Sequence, residues 1–173
     1  MPDIILRELI VADDWQVLRP SPGETAIVPP GRVIVPLAIW LAQQTQWAAR
    51  GNVGVWLAGN DDPAQLTESL ALLSLIAVDF PKFTDGRGYS LAYLLRSRFG
   101  YRGQLRAIGD VLPDQLFYMK RVGFDAFAVR VDKDIRQALR SLEPFTDSYQ
   151  GSWDNPVPAF RRHERAWPAA SKA

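Results

Sequence analysis

The sequence predicts an α/β fold: a mostly parallel sheet built from about five βα units. Three observations predict it. Short apolar runs begin near residues 33, 53, 75, 104 and 126. Each is followed by a segment whose apolar residues recur at helical spacing. Those helical segments stop at glycine or before proline. Strands alternating with single helices imply right-handed crossovers and parallel neighbours. A doubly wound sheet and a partial (βα) barrel both fit this order. The units are too few for a closed eight-stranded barrel.

Residues 1–31 read as a small β-rich N-terminal arm, in which Trp15–Leu18 suits a strand. Pro20, Pro22, Gly23, Pro29, Pro30 and Gly31 mark loops around Thr25–Val28. Residues 32–143 read as the α/β core domain. Val33–Val35 is its first strand, and Leu37, Trp40, Leu41, Gln44, Trp47 and Ala48 lie on one helix that Gly51 stops. Val53–Leu57 is the second strand. Asp62 caps a helix with Pro63 at its first position and a Leu66, Leu70 and Leu73 stripe. Leu75–Val78 is a third strand, apolar on both faces. Leu91, Leu94, Leu95 and Phe99 mark the next helix, starting near Ser90 and ending at Gly100. Gln104–Ile108, a helix from Pro113 to Gly123, Phe127–Val131 and a helix capped by Asp132 complete the order. Residues 144–173 form a tail broken by Pro144, Pro156, Pro158 and Pro168, with large anchors at Tyr149, Trp153, Phe160 and Trp167. The tail packs on the domain or on a partner.

Composition narrows the chemistry. The 173 residues are 47% hydrophobic and 23% charged, enough for one packed core. Twenty basic residues face 19 acidic ones, so charge makes no case for nucleic acid as a partner. With no cysteine, thiol catalysis, disulfides and thiolate-held zinc or iron–sulfur clusters are excluded. The one histidine, His163, rules out a multi-histidine metal site within the chain. The acidic N-terminus does not read as a signal peptide. The longest apolar run, Val33–Ala42, is far short of a membrane span. A cytoplasmic location is expected, and no membrane is expected as a partner.

One loop stands out. The strand spacings are 20, 22, 29 and 22 residues, and the long unit holds Asp79-Phe-Pro-Lys-Phe-Thr-Asp-Gly-Arg-Gly-Tyr-Ser90. It leaves the C-terminal end of a strand, where open α/β sheets bind ligands. Gly86 and Gly88 allow close backbone approach. The following helix start favours an anion. Arg87 offers a bidentate fork and Lys82 a point charge. Ser90 adds a hydroxyl. The same residues also fit a solvated turn in which Asp85 caps backbone groups and Arg87 pairs with a neighbouring acid. Arg106, inside an apolar strand, needs a partner, a ligand or an exposed edge. Asp110 ends that strand on the same rim, so Asp79 and Asp110 form a candidate catalytic acid pair. Arg96, Arg98 and Arg102 read as solvated helix charges, and Trp40, Trp47, Phe117, Phe124 and Phe127 as packing. No dinucleotide or phosphate-loop fingerprint is present.

The run Phe83–Gly88, Ser90-Leu91-Ala92, Leu95-Arg96, Gly103, Leu105–Asp110, Asp114-Gln115 and Gly123–Phe127 resembles an uncharacterised bacterial family, domain of unknown function 934. Tyr149-Gln150 and Pro156–Pro158 are similar too. The resemblance is weakest in the first thirty or so residues. It implies a link to assimilatory sulfite reduction, because the family's genes tend to lie beside sulfite reductase genes, and members are described as oxidoreductases on that ground. It carries over no catalytic residue.

Three expectations follow. The first is an accessory protein of sulfite reduction that binds a small anion, such as sulfite, sulfate or phosphate, through Lys82, Asp85, Gly86, Arg87, Gly88, Ser90, Arg106 and Asp110. The second is an enzyme using Asp79 and Asp110 for acid–base chemistry, or a bound redox cofactor. The third is a non-catalytic module that docks on sulfite reductase. No cofactor is evident in the sequence, a flavin or nicotinamide stays open, and so does a homodimer through uncovered sheet edges.

Overall fold

Alternation along the strands sets the architecture. A computed structural model describes residues 2–21, 27–144 and 148–162. Eight strands form one sheet: β1 (Asp3–Leu6), β2 (Leu9–Ala12), β3 (Trp15–Val17), β4 (Arg32–Pro36), β5 (Val53–Leu57), β6 (Leu75–Phe80), β7 (Gln104–Gly109) and β8 (Ala126–Phe127). Their order is β2-β1-β8-β7-β6-β5-β4-β3. Every neighbour from β3 to β8 is parallel, and β1 is antiparallel to both β2 and β8. Six helices accompany them among the described residues: α1 (Leu37–Ala42), α2 (Gln44–Arg50), α3 (Arg87–Ser97), α4 (Leu116–Val122), α5 (Ile135–Arg140) and α6 (Ala159–Arg162).

The sheet curls towards a barrel. β2 and β3 are its two edges, yet only Asp13 and Asp14 separate them in the chain. Three Cα steps reach about 11 Å at most, so the edges must approach each other. β2 and β3 also run in the same sense, as two halves of one bent strand. The outward residues Val33, Val35, Val55, Leu57, Ile76, Val78, Phe80, Leu105, Ala107 and Phe127 join helix residues such as Trp40, Leu91, Leu95 and Met119 in the large core. The inward residues Ile34, Leu75, Ala77 and Ile108 form a second, smaller core with Trp15, Val17, Trp56 and Ala128. The core helices α1 to α5 therefore pack on the outer face, and the doubly wound alternative does not hold. The N-terminal hairpin is part of the same sheet, because β1 pairs with β8.

Several elements differ from the periodicity. The helix expected across Leu37–Ala48 is two, broken at Gln43 (φ −145°, ψ 42°). The Gln43 N–H turns to Trp40 O, and the Trp47 indole donates to Ile39 O at 3.1 Å instead. The Leu66–Leu73 stripe forms a 3-10 turn over Pro63–Leu66 and further i→i−3 turns, in which Ser69 N–H bonds Leu66 O and Leu72 N–H bonds Ser69 O. Leu66 and Leu73 are buried as a helix would have buried them. Helix α3 begins at Arg87, three residues ahead of Ser90. β8 ends at Phe127, so Val129–Val131 are not strand, and Val131 is fully exposed. The cap of α5 is Asp134, not Asp132. No described helix is long and apolar enough to cross a membrane. His163, Trp167 and part of the Thr25–Val28 loop lie outside the described residues.

Candidate functional site

The rim at the C-terminal ends of the parallel strands gathers three arginine–carboxylate pairs. The first sits where β6 hands over to α3. Gly88 lets the helix close on the strand: a Cβ there would lie 2.6 Å from Phe80 Cζ. One turn earlier, Asp85 accepts from the Arg87 backbone N–H at 3.2 Å, from Nε at 2.9 Å and from Nη2 at 2.7 Å. The Arg87 side chain is 59% exposed and runs along Gly59, where a Cβ would lie 2.9 Å from its Nε. Gly86 has ordinary φ (−78°), so it does not use glycine's conformational freedom.

The second pair lies across the loop. Asp110 accepts from Arg130 Nη1 at 2.7 Å and from the Phe83 N–H at 2.9 Å, pinning the loop to the end of β7. Arg130 also forks onto Asp132 at 2.6 and 2.9 Å. The third pair points inward. Asp79 accepts from Arg19 Nη2 at 2.6 Å and Nη1 at 3.1 Å, and the Arg19 guanidinium rests over Trp56.

The charges answer to these partners. The Arg87 fork and N–H hold Asp85 down at about 2, and Arg130 holds Asp110 below its ordinary range. Asp110 is thus an ionised holder at neutral pH, which weakens its case as a proton donor. A depressed carboxyl adds stability that is present above the usual carboxylate range and lost as pH falls through its folded value. The Asp85 side-chain carbon is accordingly expected to titrate near about 2 by NMR, and closer to its ordinary value in Arg87→Ala, which removes the fork but keeps the backbone N–H. A midpoint near 4 in the unsubstituted protein would contradict the pairing.

Among the predicted residues, the structure brings Asp79, Asp85, Gly86, Arg87, Gly88 and Asp110 to one rim. Lys82 and Ser90 stand there exposed. Arg106 does not join them. It points into the curled sheet from mid-strand, 1% exposed, and donates from Nη1 to both Asp13 oxygens at 2.9 Å. Gln104, with its amide oriented to suit those donors, accepts from Arg106 Nε and Nη2 at 3.2 and 3.1 Å. Its parallel neighbours at that level are Ala77 and Ala126, small enough to leave room for the arginine. Asp79 and Asp110 are each held by a different arginine rather than by each other.

Sequence reasoning missed Arg19, Arg130 and Gly59. Arg130 had a signal, since it follows a strand end beside Asp132. Arg19 had none. Arg96 is also corrected: it is buried, and donates to the carbonyls of Gly123, Tyr101 and Gly103 at 2.9 Å each.

A mostly parallel sheet curled towards a barrel, with helices outside it and ion pairs crowding its C-terminal rim, defines an α/β protein of the partial-barrel kind. Residues 54–160, well over half of the chain, match the model of a bacterial protein family of unknown function, DUF934, and the chain belongs to that family. No curated protein matches it.

Proposed function

We propose that this protein binds a small oxyanion of the sulfite, sulfate or phosphate kind at the C-terminal rim, as an accessory of assimilatory sulfite reduction. The anion rests on the rim, the pathway on the family resemblance. One observation carries the reading: an exposed guanidinium fork, backed by Gly59, is already held bidentately by a carboxylate. Carboxylates and oxyanions present two oxygens to an arginine in the same way. Asp85 thus stands where an incoming anion would bind, and it can keep capping the start of α3 once displaced. Lys82 is exposed beside the same loop and adds charge without a fixed geometry. Because one anion replaces another, the net affinity is modest.

Titration calorimetry with sulfite, sulfate and phosphate tests this. Binding is expected in the unsubstituted protein and absent in Arg87→Ala. Asp85→Asn removes the competing charge and is expected to tighten binding on the order of tenfold. Failure of both the unsubstituted protein and Asp85→Asn to bind any of the three would overturn the reading.

A further inference from the structure

The opposite end of the sheet carries a cleft that the rim reading leaves unused. Its volume is about 450 Å³, within the range of small-molecule sites. It opens where β1 turns into β2 and where the chain enters β8. Phe124, Phe127, Leu142 and Trp153 make an apolar wall, and Arg7 and Arg102 stand at its edge.

The cations of this cleft divide into committed and available ones. Lys120 is tied to Glu8 at 2.7 Å and Glu143 at 3.0 Å. Arg96 spends Nε and Nη1 on three carbonyls, and its guanidinium lies 5.3 Å from the centre of the Trp153 ring. Arg102 is exposed and has no ion pair among the described residues. Arg7 is 73% exposed, and its carboxylate neighbour, Asp125, is 3.9 Å away. Two guanidinium forks thus remain beside an aromatic surface.

The turn that presents Arg7 is an expensive one. Arg7 (φ 46°) and Glu8 (φ 68°) both occupy the left-handed region, where two-residue hairpin turns usually take Asn-Gly. The turn is held at both residues, by the Arg7 N–H on Asp125 O at 2.8 Å and by Glu8 on Lys120. Strained backbone of this kind gathers at ligand sites. Asp125 completes the set. One of its oxygens accepts from the Leu105 N–H at 2.7 Å, and the other faces Arg7 and Arg96 at the cleft.

We propose that this cleft binds a small aromatic anion. The ring lies against Trp153 and Phe124, the acid group sits between the Arg7 and Arg102 forks, and a ring amine donates to Asp125. A phosphate on a purine and a carboxylate on an aminobenzene share that chemistry. Adenosine monophosphate and anthranilate distinguish the two sources, and adenosine and inorganic phosphate each supply half of it.

Calorimetry and the Trp153 indole NMR signal provide the readout. At least one of the two aromatic anions is expected to bind in the micromolar range and shift that signal, with adenosine and phosphate far weaker. Arg102→Ala changes an exposed side chain and is expected to weaken the bound anion on the order of tenfold. Arg87→Ala, at the other end of the sheet, is expected to leave it unchanged, so this proposal and the rim reading fail separately. Binding of neither anion below millimolar concentration would overturn the proposal. So would binding that survives both Arg102→Ala and Trp153→Leu unaltered.

Discussion

Replacing Asp13 by alanine is expected to destabilise the folded protein by about 3–5 kcal/mol. Asp13 and Arg106 lie 93 residues apart in the chain and meet inside the curled sheet, 8% and 1% exposed. Burial pulls the Arg106 guanidinium below its ordinary range and Asp13 pushes it back up. An arginine does not neutralise itself by losing a proton, so without Asp13 a charge stays buried and unpaired. The pair also stands at the junction of β2 and β3, where the two sheet edges approach. The double substitution Asp13→Leu with Arg106→Met removes both charges and is expected to recover most of the loss, since well-packed apolar replacements of buried ion pairs are often neutral or better. Urea denaturation measures both, with an unchanged m-value marking a change in stability alone. An Asp13→Ala cost below about 1 kcal/mol, the ordinary value for an exposed pair, would place this ion pair in solvent instead.

Gly109→Ala is the second large effect. Gly109 ends β7 with φ +92°, and a Cβ there would lie 2.4 Å from Phe80 O and 2.7 Å from Asp79 Oδ1. The backbone conformation costs about 1–3 kcal/mol for a residue with a side chain. Overpacking against a backbone carbonyl adds about 1–3 kcal/mol, because strand β6 cannot move aside alone. The total, about 2–6 kcal/mol, is expected with loss of the Arg19–Asp79 pair. Gly31→Ala separates the two contributions. Gly31 has φ +90° but nothing within 4 Å of its Cβ, so it incurs the conformational cost alone. Gly86→Ala, with ordinary φ and open space, is expected to be near neutral. Melting temperatures of the three variants give the ranking, and equal shifts for Gly109→Ala and Gly31→Ala would refute the clash.

Both effects depend on contacts that local pattern does not carry. The central strands were legible because Leu75–Val78 is apolar on both faces, Gln104–Ile108 carries the apolar Leu105, Ala107 and Ile108, and both are bounded by turns. The stop of α4 was legible through Gly123, in the left-handed conformation at φ +116°, whereas Pro113 opens a 3-10 turn over Pro113–Gln115 and the α-helix itself starts only at Leu116. The break at Gln43 was not, because it depends on where the Trp47 indole finds an acceptor. At the rim, Asp85 and Arg87 are two residues apart, and their pairing was one of the two readings that the loop allowed. Arg130 reaches Asp110 across 20 residues and Arg19 reaches Asp79 across 60, separations over which a sequence offers no periodicity.

What the sequence by itself determined was the order of the core strands, most of the helices between them, the parallel sense of the central strands, the family, and the rim on which Asp79, Asp85, Arg87 and Asp110 sit. Those follow from local periodicity and from the handedness of βαβ crossovers, which act over a few tens of residues. Only the tertiary structure decided that the sheet curls and that α1 to α5 share its outer face. It also placed Arg106 inside the sheet, opposite Asp13. The reason is physical: a strand's pattern says which residues share a face, but the curl that brings two edges together is set by the whole sheet. The partner of a buried charge is whatever carboxylate that closure delivers.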